Sequence, residues 1–390
     1  MLRAITADGK IVTLAKLPKR EIEALRKKEQ FFCPLCKETV IVRAGPQVIP
    51  HFAHLAHTNC SQHEGGEGKY HLQGKLQLYH WLLNQNIPTE LEAFIPEINQ
   101  RPDLFIQTKK NKIAIEYQCV TIPLSVIRKR NKGYRKANIV PIWILGAKQL
   151  VRTSTNRIKV SSFTRQFLHQ FSTQFPTTLF YFCPHKKIFS IVNDIIFTSS
   201  QRAIAMFTCK LLHRFSFKEL LSANKISTKK LWRLWHNEKR SFRLNRQKAY
   251  GNELVWRNWL YEKKLHIEQL PSVVHLPTRS QYLMNVPPWN WQSRFIVDFL
   301  HPLQVGDIFT TQQANSFLQP YIAPKNDYPL LHFDHSPVKE YLSHLARLNI
   351  IHRLSNATYM KSRSIHFFHY IEESLKGDDA LLQAFMYNRT

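Results

Sequence analysis

Cysteine and histidine residues with the spacing of metal ligands lie near the start of the chain. Cys33 and Cys36 form a C-P-x-C knuckle, His51 and His54 follow it, and Cys60 lies shortly after them. A structural zinc ion takes four nitrogen or sulfur ligands. The spacing predicts zinc at Cys33, Cys36, His51 and His54, with both histidines on one helical turn and Cys60 as the leading substitute for either. The alternative is a buried cysteine pair beside surface histidines.

Carboxylates are scarce in this chain, so those in predicted strands are informative. Asp103 follows an Arg-Pro pair. Glu116 lies two residues before Gln118, and this spacing places the side chains of Glu116 and Gln118 on the same face of a strand. An acid among apolar strand residues is costly to bury without a partner. In a hairpin, Asp103 and Glu116 could share one divalent cation, since Mg²⁺ favours paired carboxylates. Alternatively, Asp103 caps a turn and Glu116 pairs with Arg101 or Lys75.

A second set of reactive side chains precedes these acids. Glu67, His71 and Lys75 are spaced by four, which aligns them on one face of a helix, although glycines around Glu67 leave its place on that helix open. The face could present an acid, an imidazole and an ammonium to one metal and phosphate site. Such groups suit phosphodiester hydrolysis, where a cation stabilises the developing charge.

The overall composition narrows the class of partner. The 390 residues include 55 Lys+Arg and 27 Asp+Glu, a net charge of +28, which predicts an anionic partner, either nucleic acid or a membrane surface. Only 11 residues are glycine, and neither G-x-G-x-x-G nor a P-loop motif occurs, which argues against a nucleotide-binding fold. Without a signal peptide or a long apolar run, we expect a cytoplasmic protein, where cysteines bind metal rather than form disulfides.

The elements that must position these residues alternate between helix and strand. A helix is expected over 70–83 and a basic helix over 124–138, with strands over 90–95, 103–107, 112–119 and 139–145. The order α-β-β-β-α-β indicates an α/β or α+β unit. A hairpin is expected over 178–193, and mostly helical patterns follow. We therefore expect an N-terminal zinc-finger-like region (1–62), a catalytic domain (63–150) and a mostly α-helical basic C-terminal domain (151–390).

The sequence contains two dense basic runs, over 128–136 and 225–248, and the first would lead a phosphate backbone toward the acids. The second run is interleaved with Trp232, Trp235 and Phe242, and exposed aromatic rings among cations are typical of single-stranded DNA binding. The alternative is a helix that buries its tryptophans and solvates its charges. The candidate DNA-binding residues are Arg101, Arg128, Arg130, Tyr134, Arg135, Lys229, Arg233, Arg240 and Arg243.

Taken in chain order, the motifs of the first 150 residues resemble the competence protein CoiA family. They are C-P-x-C, H-F-A-H, E-x-x-x-H-x-x-x-K, R-P-D, I-E-Y-Q-C and I-W-I-L-G. The resemblance implies a zinc-finger-like region and a PD-(D/E)xK nuclease-like core. It also implies a role in natural transformation, in which incoming single-stranded DNA is processed or protected and passed to recombination proteins.

The same resemblance implies roles for single residues. Asp103 and Glu116 would be metal-binding acids with Glu67 assisting, and Gln118 occupies the place of the usual lysine, whose charge Lys75 could supply. Val120 precedes Thr121 where the family has a small hydroxyl residue, whereas Arg130 and Tyr134 fit its R-x-x-x-Y pair. The sequence thus predicts a Mg²⁺- or Mn²⁺-dependent DNA nuclease with a structural zinc. The alternative is a non-catalytic single-stranded DNA-binding recombination mediator that keeps the nuclease fold.

Overall fold

Three β-sheets organise the chain in a computed structural model that describes residues 1–45, 48–55, 60, 68–324, 327–331 and 336–387. The first sheet has the strand order β2-β1-β3-β4-β5, and helix α1 packs beside it. Alternate residues of β4, including Val40 and Val42, face its core. The elements are β1 Arg3–Thr6, β2 Ile11–Thr13, α1 Lys19–Lys28, β3 Phe31–Phe32, β4 Thr39–Gly45 and β5 Val48–His54.

The second sheet has nine strands in the order β10-β11-β14-β13-β12-β9-β8-β7-β6. Strands β8, β9 and β12 run parallel, and the other pairings are antiparallel. The strands are β6 Thr89–Leu91, β7 Leu104–Gln107, β8 Lys112–Gln118, β9 Ile139–Gly146, β10 Val151–Ser154, β11 Arg157–Lys159, β12 Thr178–Cys183, β13 Ile188–Phe197 and β14 Arg202–Leu211. The helices between them are α2 Lys69–Leu83, α3 Leu124–Lys136 and α4 Ser162–Arg165.

The expected α-β-β-β-α-β order is present as α2, β6, β7, β8, α3 and β9. The nine-stranded sheet continues well beyond it, so a domain boundary at residue 150 would divide this sheet. Strand β12 joins β9 in parallel, and β13, β14, β11 and β10 extend the sheet outward. The pairings of β9 with β12 and of β11 with β14 join segments that are distant in sequence, which local patterns do not reveal.

Helices cover both faces of the central strands. Ile115 of β8 lies in a core with Leu72 and Leu78 of α2, whereas its neighbour Ala114 packs with Tyr134 of α3. This alternation explains why the strands read as nearly continuous apolar runs, as parallel strands covered on both faces do. It also places α2 and α3 on opposite sides of β8.

The C-terminal part is mostly helical, as expected, and includes a small sheet of order β15-β17-β16. Trp232, Trp256 and Trp291 lie in its buried core. Its elements are α5 Thr228–Arg243, α6 Asn252–Glu262, α7 Pro288–Arg294, β15 Ile308–Thr310, α8 Thr311–Leu318, α9 Pro337–Arg347, β16 Ile351–Arg353, β17 Thr358–Lys361 and α10 Ile371–Tyr387. Within the described ranges, no helix combines the length and apolar character needed to cross a bilayer.

Candidate acidic site and cysteine–histidine cluster

Asp103 lies immediately before β7 and faces α2. Its Oδ2 accepts a hydrogen bond from the backbone N–H of Tyr117 at 2.9 Å and lies 3.3 Å from His71 Nε2. Its Oδ1 lies 3.1 Å from the ammonium of Lys75. The structure thus brings His71 and Lys75 together at Asp103, as their spacing on one helical face predicted. Glu67, the third member of that face, lies outside the described residues.

Lys75 is completely buried and joins Asp103 to a second acid, Glu92. Its Nζ lies 2.6 Å from Glu92 Oε1, and Glu92 is only 1% exposed. The other oxygen of Glu92 accepts hydrogen bonds from the backbone N–H groups of Leu2 at 2.8 Å and Arg3 at 3.2 Å. A strand of the N-terminal sheet is thereby attached to the acidic site.

Sequence reasoning missed Glu92. The strand expected over 90–95 ends at Leu91, and Glu92 adopts a left-handed backbone with φ of 50°. Its backbone N–H donates to Asp103 O at 2.9 Å. A non-glycine residue with a left-handed backbone is uncommon, and no periodic sequence pattern predicts one. Only the scarcity of acids in the chain could have drawn attention to this position.

Glu116 is held by two side chains of α3. Its Oε1 accepts a hydrogen bond from Arg130 Nε at 3.0 Å, and both Arg130 Nη2 and the hydroxyl of Tyr134 also donate to it. Arg130 Nη2 additionally donates to Arg101 O at 3.1 Å. Glu116 therefore pairs with Arg130, not with Arg101 or Lys75 as the alternative expectation had it.

Burial and charge drive the pKa values of the two acids apart. Burial would raise the pKa of Asp103, but the charges of Lys75 and His71 outweigh it and hold that pKa well below its usual range. Burial raises the pKa of Glu116 above its usual range, although the charge of Arg130 opposes this shift, and the charge of Asp103 adds a smaller upward effect. In the antiparallel register of β7 and β8, Leu104 lies opposite Ile115, so the next positions along the two chains are Asp103 and Glu116.

Two of the expected DNA contacts on α3 point into the protein. Tyr134 is fully buried, and Arg130 pairs with Glu116, so neither is available to bind DNA directly. Arg128 pairs with Asp327 at the surface, whereas Arg135 is exposed.

Two further residues expected at the site have partners of their own. Arg101 Nη1 lies 3.8 Å from Glu92 Oε2. Gln118 donates its side-chain amide to Val120 O at 2.7 Å. Gln118 is therefore held by the backbone that follows β8.

Helix α5 presents some of its cations to solvent and buries others. Lys229, Arg233 and Arg240 are exposed, as DNA binding requires. Arg243 is buried and donates to both oxygens of Asp378, at 2.9 and 3.1 Å, so its expected DNA contact is wrong.

The expected stacking of bases on this helix is also wrong for its tryptophans. Trp232 is 2% exposed, and Trp235 is completely buried with its indole N–H donating to His275 O at 2.8 Å. The alternative expectation, a helix that buries its tryptophans and solvates charges, describes α5 better.

The cysteine–histidine cluster consists of Cys33, Cys36, His54 and Cys60. One ligand atom from each lies within 4.8 Å of all the others, and Cys36 Sγ lies 3.3 Å from His54 Nε2. Burial raises the pKa of the Cys36 thiol to about 12, and the neighbouring Cys33 and Cys60 add to the effect. A coordinated cation reverses such a shift, because it deprotonates its thiol ligands. Three thiols and one imidazole are a donor set that could hold zinc.

His51 is not in this cluster, contrary to expectation. His51 and His54 lie on strand β5 rather than on a helical turn, and residues three apart on a strand project to opposite faces. The Nδ1 of His51 lies 2.9 Å from Ile49 O instead. Cys60, the expected substitute, completes the quartet.

Comparison with known proteins gives one consistent family. Three family models match, described as the N-terminal domain (residues 14–63), the nuclease-like domain (67–225) and the C-terminal domain (229–375) of competence protein CoiA. The "Competence protein CoiA" of Bacillus subtilis (strain 168) is 32% identical over 274 residues, which cover 68% of this chain and 71% of that protein. The nuclease-like match includes the whole nine-stranded sheet. No solved structure matches the chain.

Proposed function

This chain belongs to the competence protein CoiA family, and from that premise we propose that it is a metal-dependent DNA nuclease with a PD-(D/E)xK-like site. Its substrate would be the single-stranded DNA taken up in natural transformation, on its way to recombination. The observation that carries the proposal is the placement of two acids on paired strands: Glu116 is buried on β8, and Asp103 directly precedes β7 with its carboxylate 3.1 Å from the buried ammonium of Lys75.

The donor chemistry of the acidic site fits Mg²⁺ or Mn²⁺. Both carboxylates offer hard oxygen ligands, and water and phosphate oxygens would complete the set. In the part of the chain that the structure describes, only the cysteine–histidine quartet groups three or more candidate ligands so closely, so no third protein ligand is assigned here. When bound, such an ion supplies Lewis-acid stabilisation of the phosphoryl oxygens.

The chain's own residues would position the scissile phosphate. Asp103 stays ionised at neutral pH because Lys75 and His71 hold its pKa down. Lys75 presents a desolvated positive charge, which stabilises developing negative charge more strongly than an exposed lysine would. The PD-(D/E)xK pattern has a lysine at the position of Gln118. Since Gln118 carries no charge, Lys75 would supply the positive charge of that lysine.

A cleavage assay tests the proposal. Zinc-loaded protein is incubated with end-labelled single-stranded and double-stranded DNA in Mg²⁺ or Mn²⁺, beside Asp103→Ala and Glu116→Ala. The matched control is Asp298→Ala, since the Asp298 carboxylate lies 2.8 Å from Lys263 in the C-terminal part. We expect the first two variants to lose about 10²-fold or more in rate and the control to match the unaltered protein. No cleavage by the unaltered protein in either metal overturns the proposal.

A non-catalytic single-stranded DNA-binding mediator is the second candidate. It is favoured by the observation that Lys75 and Arg130 already neutralise the two acids, while Gln118 bonds to the backbone of Val120. Under this candidate the acids stabilise a clamp, and the exposed cations of α3 and α5 bind the strand. It fails if Asp103→Ala and Glu116→Ala abolish transformation while their affinity for DNA and their stability remain unchanged.

A further inference from the structure

An aromatic and basic patch lies beside the acidic site, at the carboxyl ends of the parallel strands β8, β9 and β12. We propose that this patch binds an unpaired base of single-stranded DNA, which stacks on Tyr70 between Lys148 and His185. The inference rests on the proposed function in taking DNA as the ligand, but it concerns binding and does not require cleavage. We call Tyr70, Lys148 and His185 the base patch.

Tyr70 connects this patch to the acidic site through stacked rings. Its ring centroid lies 6.4 Å from that of Tyr117 with 24° between their planes, and Tyr117 stacks on His71 at 5.6 Å and 7°. His71 in turn contacts Asp103. A base on Tyr70 would therefore lie within a short stretch of strand from a phosphate at Asp103.

The Tyr70 ring is fixed in place before any ligand binds. Its hydroxyl donates to Phe182 O at 3.3 Å, and the Tyr117 hydroxyl donates to the same oxygen at 3.1 Å. Gly146 of β9 leaves room for it, since a Cβ there would approach both Tyr70 and Cys119 to 3.3 Å. A pre-oriented ring loses little conformational entropy when it stacks with a base.

Exposed cationic and aromatic groups surround this ring. The ammonium of Lys148 lies 5.2 Å from the Tyr70 ring centroid, and the imidazole of His185 meets the ring edge-on at 5.1 Å and 84°. Both side chains are exposed, and Lys186 and Lys187 follow in the turn after β12. Rings that stack with bases beside cations that pair with phosphates are the recognition pattern of single strands. Bases in a duplex have both faces covered by their neighbours and would not fit.

Photocrosslinking of the unaltered protein tests the base patch directly. Oligothymidylate that carries one 5-iodouracil is irradiated with zinc-loaded protein without added Mg²⁺ or Mn²⁺, and the modified peptide is mapped by mass spectrometry. We expect the adduct on Tyr70 or His185. Adducts confined to other parts of the chain, or no adduct at a concentration that saturates binding, overturn the proposal.

Affinity measurements on variants give an independent readout. By fluorescence anisotropy on oligothymidylate we expect Tyr70→Leu to weaken binding about tenfold and Tyr70→Phe to retain it. An abasic strand should remove most of the difference between unaltered protein and Tyr70→Leu. The matched control is Tyr370→Leu, since Tyr370 is an exposed tyrosine just before the acidic residues Glu372 and Glu373 of α10, and the affinity of this variant should not change.

Two exposed positions keep the test decisive if Tyr70→Leu does not fold. Lys148→Ala and His185→Ala remove surface side chains, and each should weaken binding several-fold. Unchanged affinity in both, or in a folded Tyr70→Leu, overturns the base patch. A protein that binds through this patch but cleaves nothing would contradict the proposed nuclease and leave the patch intact, so the two failures are distinguishable.

Discussion

Lys75 is the buried cation that joins the acids Glu92 and Asp103. All three side chains are largely or fully removed from water, and the ammonium lies 2.6 Å from one carboxylate and 3.1 Å from the other. Buried charges are tolerated only when paired, and removing one partner typically costs about 3–5 kcal/mol. Both acids therefore depend on Lys75, which makes this lysine a structural as well as a chemical part of the site.

The zinc ligands can be distinguished by single substitutions. We expect Cys36→Ser and Cys60→Ser each to lose about one equivalent of zinc per chain, because each variant removes one of the four ligands. We expect His51→Ala to keep its zinc, because His51 lies outside the quartet. Metal analysis of the purified variants measures this. Zinc loss in His51→Ala with retention in Cys60→Ser would contradict the assigned quartet.

Residue types and spacing predicted that some of the site's side chains lie together. His71, Lys75 and Asp103 come together because the first two share one helix face and Asp103 directly precedes strand β7. Cys60 replaces His51 because the segment is a strand, whose period of two differs from the helical period assumed for it. Glu92 escaped prediction because its role depends on a left-handed backbone and on contacts with residues distant in sequence.

At the scale of elements, helix α2 approaches strand β8 closely at Gly74, and this contact brings the reactive groups together. A Cβ added at Gly74 would lie 2.1 Å from Cε1 of Tyr117, so the absence of a side chain lets β8 and the helix pack. Tyr117 then stacks on His71 and donates its backbone N–H to Asp103. The helix, the strand and the acid are thus linked through a single tyrosine.

Gly74→Ala should therefore lower the stability of the protein, whereas most Gly→Ala changes within helices raise it. Alanine usually stabilises a helix interior by about 1 kcal/mol over glycine. Here we expect a loss of about 1–3 kcal/mol in unfolding free energy, as in overpacked cores, because the added methyl displaces Tyr117. Urea unfolding measures the change. A variant more stable than the unaltered protein would contradict the packing described.

Elements defined by local patterns were largely predictable, and distant pairings were not. The basic helix, the β7–β8 hairpin and strand β9 lie close to their expected positions. The continuation of the sheet through β12 and β14 depends on partners far apart in sequence. On α5, the periodic pattern allowed either buried or exposed tryptophans, and packing against α10 and neighbouring segments buries them.

At the scale of the whole molecule, a few charged groups attach the C-terminal part to the central sheet. Asp194 lies at a register shift between β13 and β14 and accepts a hydrogen bond from the backbone N–H of Ile226 at 2.8 Å. Arg279 pairs with the same carboxylate, while its backbone N–H donates to Glu340 at 2.7 Å. Some of the scarce carboxylates in this chain of net charge +28 therefore hold its parts together.

Buried Lys239 predicts a pH dependence of stability for the whole chain. Burial lowers its pKa to about 8, although Asp378 at 3.4 Å opposes the shift. The unfolded chain therefore binds more protons between about pH 8 and 10.5, and stability from this group rises with pH across that window, by up to about 3 kcal/mol. Nearby His275 has its pKa lowered to about 3, so its contribution changes only in acid.

Substitution of Lys239 separates its contribution to the pH dependence of stability from the contributions of other groups that titrate at high pH. Unfolding free energies at about pH 7.5 and about pH 10 are compared for the unaltered protein, Lys239→Met and Lys230→Met, a control at an exposed position of the same helix. Lys239→Met should lose the part of the rise that is due to this lysine, and Lys230→Met should retain it. Equal slopes in all three proteins would contradict the account.

Manganese binding tests most directly the claim that Asp103 and Glu116 form one metal site. Zinc-loaded protein is titrated with Mn²⁺ and the free ion is followed by electron paramagnetic resonance, beside Asp103→Asn, Glu116→Gln and the control Asp298→Asn. We predict about one bound Mn²⁺ per chain, lost in the first two variants and kept in the control. Unchanged Mn²⁺ binding in Asp103→Asn and Glu116→Gln, or no binding by the unaltered protein, would contradict the claim.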